Sequence, residues 1–185
     1  MYKRLVLVLT LLFAASAGAN YDENEQFEEY PYIGVGYSAL SGDYDLNAIG
    51  LDTYSFNNGL VGIIGGYRFH PNLAGEVRGY GNASEDEILG VVVEVENSFS
   101  VLGKALVPIG RYIDIYGILG FGTSKAEASY NGLSVSKSDE DIQYGVGFAV
   151  NKGEALELHV EWMRLYDSGG LEVDGFNINL VYRML

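Results

Sequence analysis

Glu157, His159 and Glu161 alternate along "ALELHVEWMRLY", residues 155–166. Residues two apart share one face of an extended strand, so these three would present a row of oxygen, nitrogen and oxygen ligands. Such a row suits a metal ion or an acid–base group. It equally suits an ion-paired cluster completed by Arg or Lys from neighbouring strands. The other face of the segment is Leu156, Leu158, Val160 and Trp162. The chemistry therefore depends on which face meets water.

The elements that would position this row are strands. From Pro31 onward, period-two alternation predicts eight of them, near 32–40, 60–69, 73–82, 95–107, 113–123, 142–150, 155–165 and 174–184. Short connections, "HPN" (70–72), "PIGR" (108–111) and "NKGE" (151–154), alternate with longer acidic ones at 41–58, 83–96, 124–141 and 167–173. Some of the long connections are expected to extend their flanking strands above a membrane; short turns at one end and long loops at the other define a polarised up-and-down meander. No internal repeat, linker or second domain is expected.

Lys3 and Arg4, the apolar run Leu5–Phe13 and the small residues Ala17-Gly18-Ala19 read as a cleaved export signal, residues 1–19. Residues 20–31 form an acidic lead-in, and 32–185 the folded domain. Without Lys3 and Arg4 the formal charge goes from −14 to −16, which disfavours nucleic acid as a partner. There is no Cys, so neither disulfides nor thiolate metal sites are available.

The composition of the second face decides the orientation. Ile33, Val35 and Tyr37 oppose Gly34, Gly36 and Ser38; Ile113, Ile115, Leu119 and Phe121 oppose Asp114, Tyr116, Gly120 and Gly122. In the sixth strand Ile142, Tyr144, Val146 and Phe148 oppose Gln143, Gly145, Gly147 and Ala149. Repeated Gly weakens a water-facing strand with little return. Inside a narrow barrel it makes room for large neighbours. The same face carries Arg68, Glu76, Arg78, Lys104, Asp114, Glu157, His159, Glu161 and Arg183, a charge network that would fill an eight-stranded lumen. The apolar face would then meet lipid, with Tyr37, Tyr67, Phe69, Trp162, Phe176 and Tyr182 near strand ends as interfacial aromatics. Strands of about 9–11 residues suffice to span, and only a closed barrel satisfies the backbone there. A soluble lipocalin-like barrel would need the opposite assignment of faces.

Three stretches, "YIGVGYS" (32–38), "GGYRFHPNLAGEVRGYG" (65–81) and "FNINLVYRML" (176–185), make the chain resemble the outer-membrane β-barrel domain family of Gram-negative bacteria. The resemblance covers nearly all of the chain after the signal. It implies an all-β, eight-stranded antiparallel transmembrane barrel, monomeric, in contact with outer-membrane lipid and lipopolysaccharide. It also implies delivery to the outer-membrane assembly machinery through the last strand. Phe176, Ile178, Leu180 and Tyr182 keep that strand's alternation, whereas Met184 stands where the family usually places a terminal Phe.

For the 157–161 row this reading favours a hydrogen-bonded plug over a metal site. No catalytic residue, metal or cofactor is expected: the His-x-Ser pattern of lipid-modifying barrels is missing. The fragments Gly34-Val35-Gly36 and Gly120-Phe121-Gly122 lie in strands, with no helix N-terminus to hold a phosphate. The acidic groups Glu85-Asp86-Glu87 and Asp139-Glu140-Asp141, with Asp43, Asp45, Asp52, Asp167, Glu172 and Asp174, read as loop solvation first. Sharing divalent cations with lipopolysaccharide phosphates is the alternative. The expected role is structural or surface-interactive through these loops, with an unidentified extracellular ligand; a narrow pore for water, ions or small solutes is the competing reading, and a lipid-modifying enzyme a third.

Overall fold

The computed structural model describes residues 28–44, 54–84, 86–88, 91–110, 112–130, 133–151, 155–168 and 171–184. Residues 1–27, which hold the expected export signal and most of the expected lead-in, lie outside these residues, as do Asp45, Asp52, Glu85 and Arg111. So do residues 152–154 of the "NKGE" turn, and Leu185. Among the described residues there are nine strands: β1 (Tyr30–Tyr44), β2 (Tyr54–His70), β3 (Leu73–Ser84), β4 (Asp86–Ile88), β5 (Val91–Ile109), β6 (Ile113–Tyr130), β7 (Leu133–Asn151), β8 (Leu156–Ser168) and β9 (Leu171–Arg183). Every pairing is antiparallel. The three-residue β4 prolongs β3 and pairs with the same neighbour, β5, so the wall has eight staves. Pairing of β1 with β9 and of β3 with β5 closes the sheet on itself. No helix among the described residues is long and apolar enough to cross a membrane.

The strands exceed their predicted bounds, mostly toward the loop end. Residues 124–141, read from sequence as one of the long connections of which some would extend their flanking strands, do so along nearly their whole described length: β6 and β7 pair from Ile113↔Val150 up to Tyr130↔Leu133. Polar alternation such as "SKAEAS" carries no apolar signal, yet its backbone can still pair with a neighbour that continues alongside. One consequence corrects the placement of the aromatics. Tyr67, Phe69 and Tyr182 sit near the short-turn ends of β2 and β9, but Tyr37, Trp162 and Phe176 sit mid-strand, because their strands run on well past them.

Alternation sorts the side chains as the antiparallel register requires. Ile33, Val35, Ile63, Val101, Ile115, Phe121, Leu158 and Leu180 face out. Inside, two glycines allow close packing. A Cβ on Gly147 would lie 2.8 Å from both Glu161 Cγ and Tyr116 Cε2, and one on Gly66 would run into the Tyr32 ring. The short-turn end is stapled from within. Asn72, between β2 and β3, accepts from Leu106 N at 2.8 Å and donates its side-chain amide to Leu106 O at 2.9 Å. Gly110 turns the β5–β6 connection at φ 67°, where a side chain would be strained.

Candidate functional site: an ion-paired barrel interior

Inward glycines leave space that polar and aromatic side chains of other strands fill: Gly36 faces Asn179 and Tyr80, Gly62 faces Tyr80, Gly66 faces Tyr32, and Gly147 faces Glu161 and Tyr116. Glu161 of β8 is 1% exposed and collects four donors. Arg78 reaches both its oxygens, at 2.6 and 2.9 Å; Tyr116 Oη donates at 2.8 Å; Asn179 Nδ2 donates at 3.1 Å; and Lys104 Nζ lies 3.3 Å away. Glu76 of β3 forms the second centre. It accepts from Arg78 Nε (2.8 Å) and Nη2 (2.5 Å), from Lys104 Nζ (2.7 Å) and from Tyr32 Oη (2.7 Å). Arg78 and Lys104 thus each bridge the two glutamates. Lys104 also lies 4.1 Å over the Tyr116 ring.

His159 extends the cluster toward the short-turn end. Its Nδ1 is 3.3 Å from Lys104 Nζ and its Nε2 is 2.9 Å from Glu157 Oε2. An ammonium has no lone pair to offer, so Nδ1 is the acceptor and Nε2–H donates to Glu157. The ring is then neutral. Arg183 pairs with Glu157 and stacks over Tyr30, and Arg68 holds Asp114 at 2.8 Å while donating to Pro71 O at 2.5 Å.

All nine sequence-predicted interior residues are therefore in one connected interior, Arg183 at its rim. Four acids (Glu76, Asp114, Glu157, Glu161) face four bases (Arg68, Arg78, Lys104, Arg183), with His159 neutral. The charges cancel. That balance is what lets them stay out of water, since an isolated buried charge is costly and a paired, hydrogen-bonded one is tolerated. The expected partners divide more finely than the pattern suggested: Glu161 takes Arg78 and Lys104, Glu157 takes Arg183 and His159, and Arg68 goes to Asp114. No trio of His, Asp or Glu is arranged to hold a metal among the described residues, and His70, exposed at its turn, only accepts from Asn72 N.

Neutral hydrogen bonds come from Tyr116, which the sequence placed on the inner face, and from Tyr32, Tyr80 and Asn179, which sequence reasoning left out. Their signal was parity: each shares its strand's inward face with a charged or glycine position. Counted from the short-turn end, every charge of the cluster falls within the first three inward positions of its strand. Beyond them the buried polar side chains are Ser38, Asn58, Ser98, Ser100, Gln143 and Asn177, all uncharged.

A closed eight-stave barrel with an apolar outside and a charge-neutral ionic inside belongs to the class that crosses membranes with strands. The family described as outer membrane protein beta-barrel domain matches residues 5–183, and the chain belongs to it. Its place is the bacterial outer membrane. Among solved structures it is similar to Ail, the attachment invasion locus protein of Yersinia pestis, in complex with the heparin analogue sucrose octasulfate. There the TM-score is 0.65 and the identity 20%, over 85% of this chain and 100% of that one. It is similar also to Neisserial surface protein A (TM-score 0.63, 10% identity, 85% and 100% covered). The N-terminal barrel domain of Pseudomonas aeruginosa OprF gives 0.56 at 12% identity, with 82% and 97% covered. At these identities the likeness is one of fold. No curated protein matches the sequence.

Proposed function

We propose that this barrel is a monomeric surface-interaction protein whose loop end presents a polyanionic face, and that it is neither a pore nor an enzyme. The carrying observation is where the uncompensated charge lies. The interior acids and bases cancel, whereas residues 41–58, 82–97, 124–141 and 164–174 hold fifteen Asp and Glu against Lys125, Lys137 and Arg164. Several of these lie outside the described side chains; among those within them, Arg164 is tied to Asp174 and Glu172 at 2.8 Å. With the loops outward, such a field repels polysulfates and concentrates cationic ligands. In this reading the fold shared with Ail carries a ligand preference of opposite sign.

The test is binding of the protein, folded in neutral phospholipid nanodiscs, to a lysine-rich peptide and to sucrose octasulfate. The peptide should bind and weaken steeply with salt, because exposed charges are screened over roughly 8–10 Å at ionic strengths of about 0.1–0.15 M. Binding of the polysulfate, or indifference to ligand sign, would refute the proposal. Stable conductance steps of the unaltered protein in planar bilayers would favour the pore.

A further inference from the structure

We infer that the barrel holds an ordered internal water at the seam where its first and last strands meet, between the ionic cluster and the loop end. Ser38 of β1 and Asn177 of β9 are register partners across that seam. They are 3% and 2% exposed, and neither Ser38 Oγ nor Asn177 Oδ1 has a protein hydrogen-bond partner. Both line a cavity of about 10 Å³ shared with Arg78, Tyr80, Ser98 and Ser100. That is close to the space a single water needs, and water occupies such cavities when two or more polar groups point into them.

The neighbouring surfaces define the site from both sides. On the short-turn side Arg78 is saturated by Glu76, Glu161 and Met163, so it offers the cavity a wall and takes nothing from it. Toward the loops, Leu40, Leu60 and Val173 form an apolar cluster with Leu165 and Tyr166 packed against it. The bound molecule would donate one hydrogen to Asn177 Oδ1 and share the other contact with the Ser38 hydroxyl, which can give or accept. It thereby joins β1 to β9 by side chains at the closing seam of the sheet. Gln143, 0% exposed with both amide atoms unpartnered, and Asn58, 5% exposed and likewise unpartnered, create the same demand elsewhere in this half. At the centre of the ionic half Glu76, Arg78, Lys104, Tyr116 and Glu161 satisfy one another, with Tyr32, Ile64, Leu102 and Ile118 packed between them, while at its rim Arg183 Nη2 has no hydrogen-bond partner.

Water-to-protein magnetisation transfer on the perdeuterated, nanodisc-embedded full chain tests this. Persistent cross-peaks are expected from bulk-exchanging water to the Asn177 side-chain amide, and not to Tyr116 Oη or Lys104 Nζ. Ser38→Ala, checked as folded by its heat-sensitive gel mobility, should lose at least half of the Asn177 signal. Absence of that signal in the unaltered protein, equal transfer to the ionic cluster, or an undiminished signal in folded Ser38→Ala would each overturn the inference.

Discussion

Removing Arg78 should cost more stability than removing either of its partners. Arg78 makes two contacts to Glu161 and two to Glu76, and it is 2% exposed. In Arg78→Ala both glutamates stay buried with Lys104 as their shared cation, and the interior changes from neutral to −1. Breaking a buried pair in this way typically costs about 3–5 kcal/mol. In Glu161→Ala the arginine keeps its two-nitrogen grip on Glu76, so the loss should lie nearer about 2–3 kcal/mol, the range of a charged hydrogen bond. The double variant Arg78→Ala/Glu161→Ala, which combines the same two substitutions, removes the pair and no net charge. It should recover much of the sum, giving a coupling of at least about 2 kcal/mol in the cycle. The assay is reversible urea unfolding in phospholipid vesicles, followed by Trp162 fluorescence and by gel mobility. A loss below about 1 kcal/mol in Arg78→Ala, or single losses that add up to the double, would show that the network does not hold the interior together.

Three further outcomes follow from the same geometry. Gly147→Ala should destabilise by about 1–3 kcal/mol, because its Cβ meets Glu161 and Tyr116 at 2.8 Å. Gly79→Ala, whose Cβ would find nothing within 4 Å on the outer face, should cost under about 1 kcal/mol in the same unfolding assay. Trp162, the single Trp and 40% exposed on the outer face, should be quenched by lipids brominated along their acyl chains and not by aqueous iodide; the reverse pattern would invert the assignment of faces. Planar-bilayer recordings should stay silent for the unaltered protein and show unit steps for Arg78→Ala/Glu161→Ala, where two large plug side chains are gone; steps of equal size in both would mean that the cluster does not close the lumen.

Parity along the chain was enough to read the class of fold and the sidedness of each stave. In a strand, glycine opposite isoleucine, repeated on adjacent strands, can be reconciled with burial only by a crowded inside and an oily outside. That is why Glu157, His159 and Glu161 were legible as interior groups before any neighbour was known. Pairing was not legible. Which carboxylate Arg78 meets depends on strand stagger, and Glu161 lies 83 residues away from it in sequence. The lengths of β6 and β7 were hidden too, because backbone hydrogen bonding extends a hairpin through polar residues that carry no pattern. Tertiary closure alone decided that the charges gather in the short-turn half and leave Ser38, Gln143 and Asn177 above them, since height in a barrel is fixed by register around the whole sheet and not by position in any one strand.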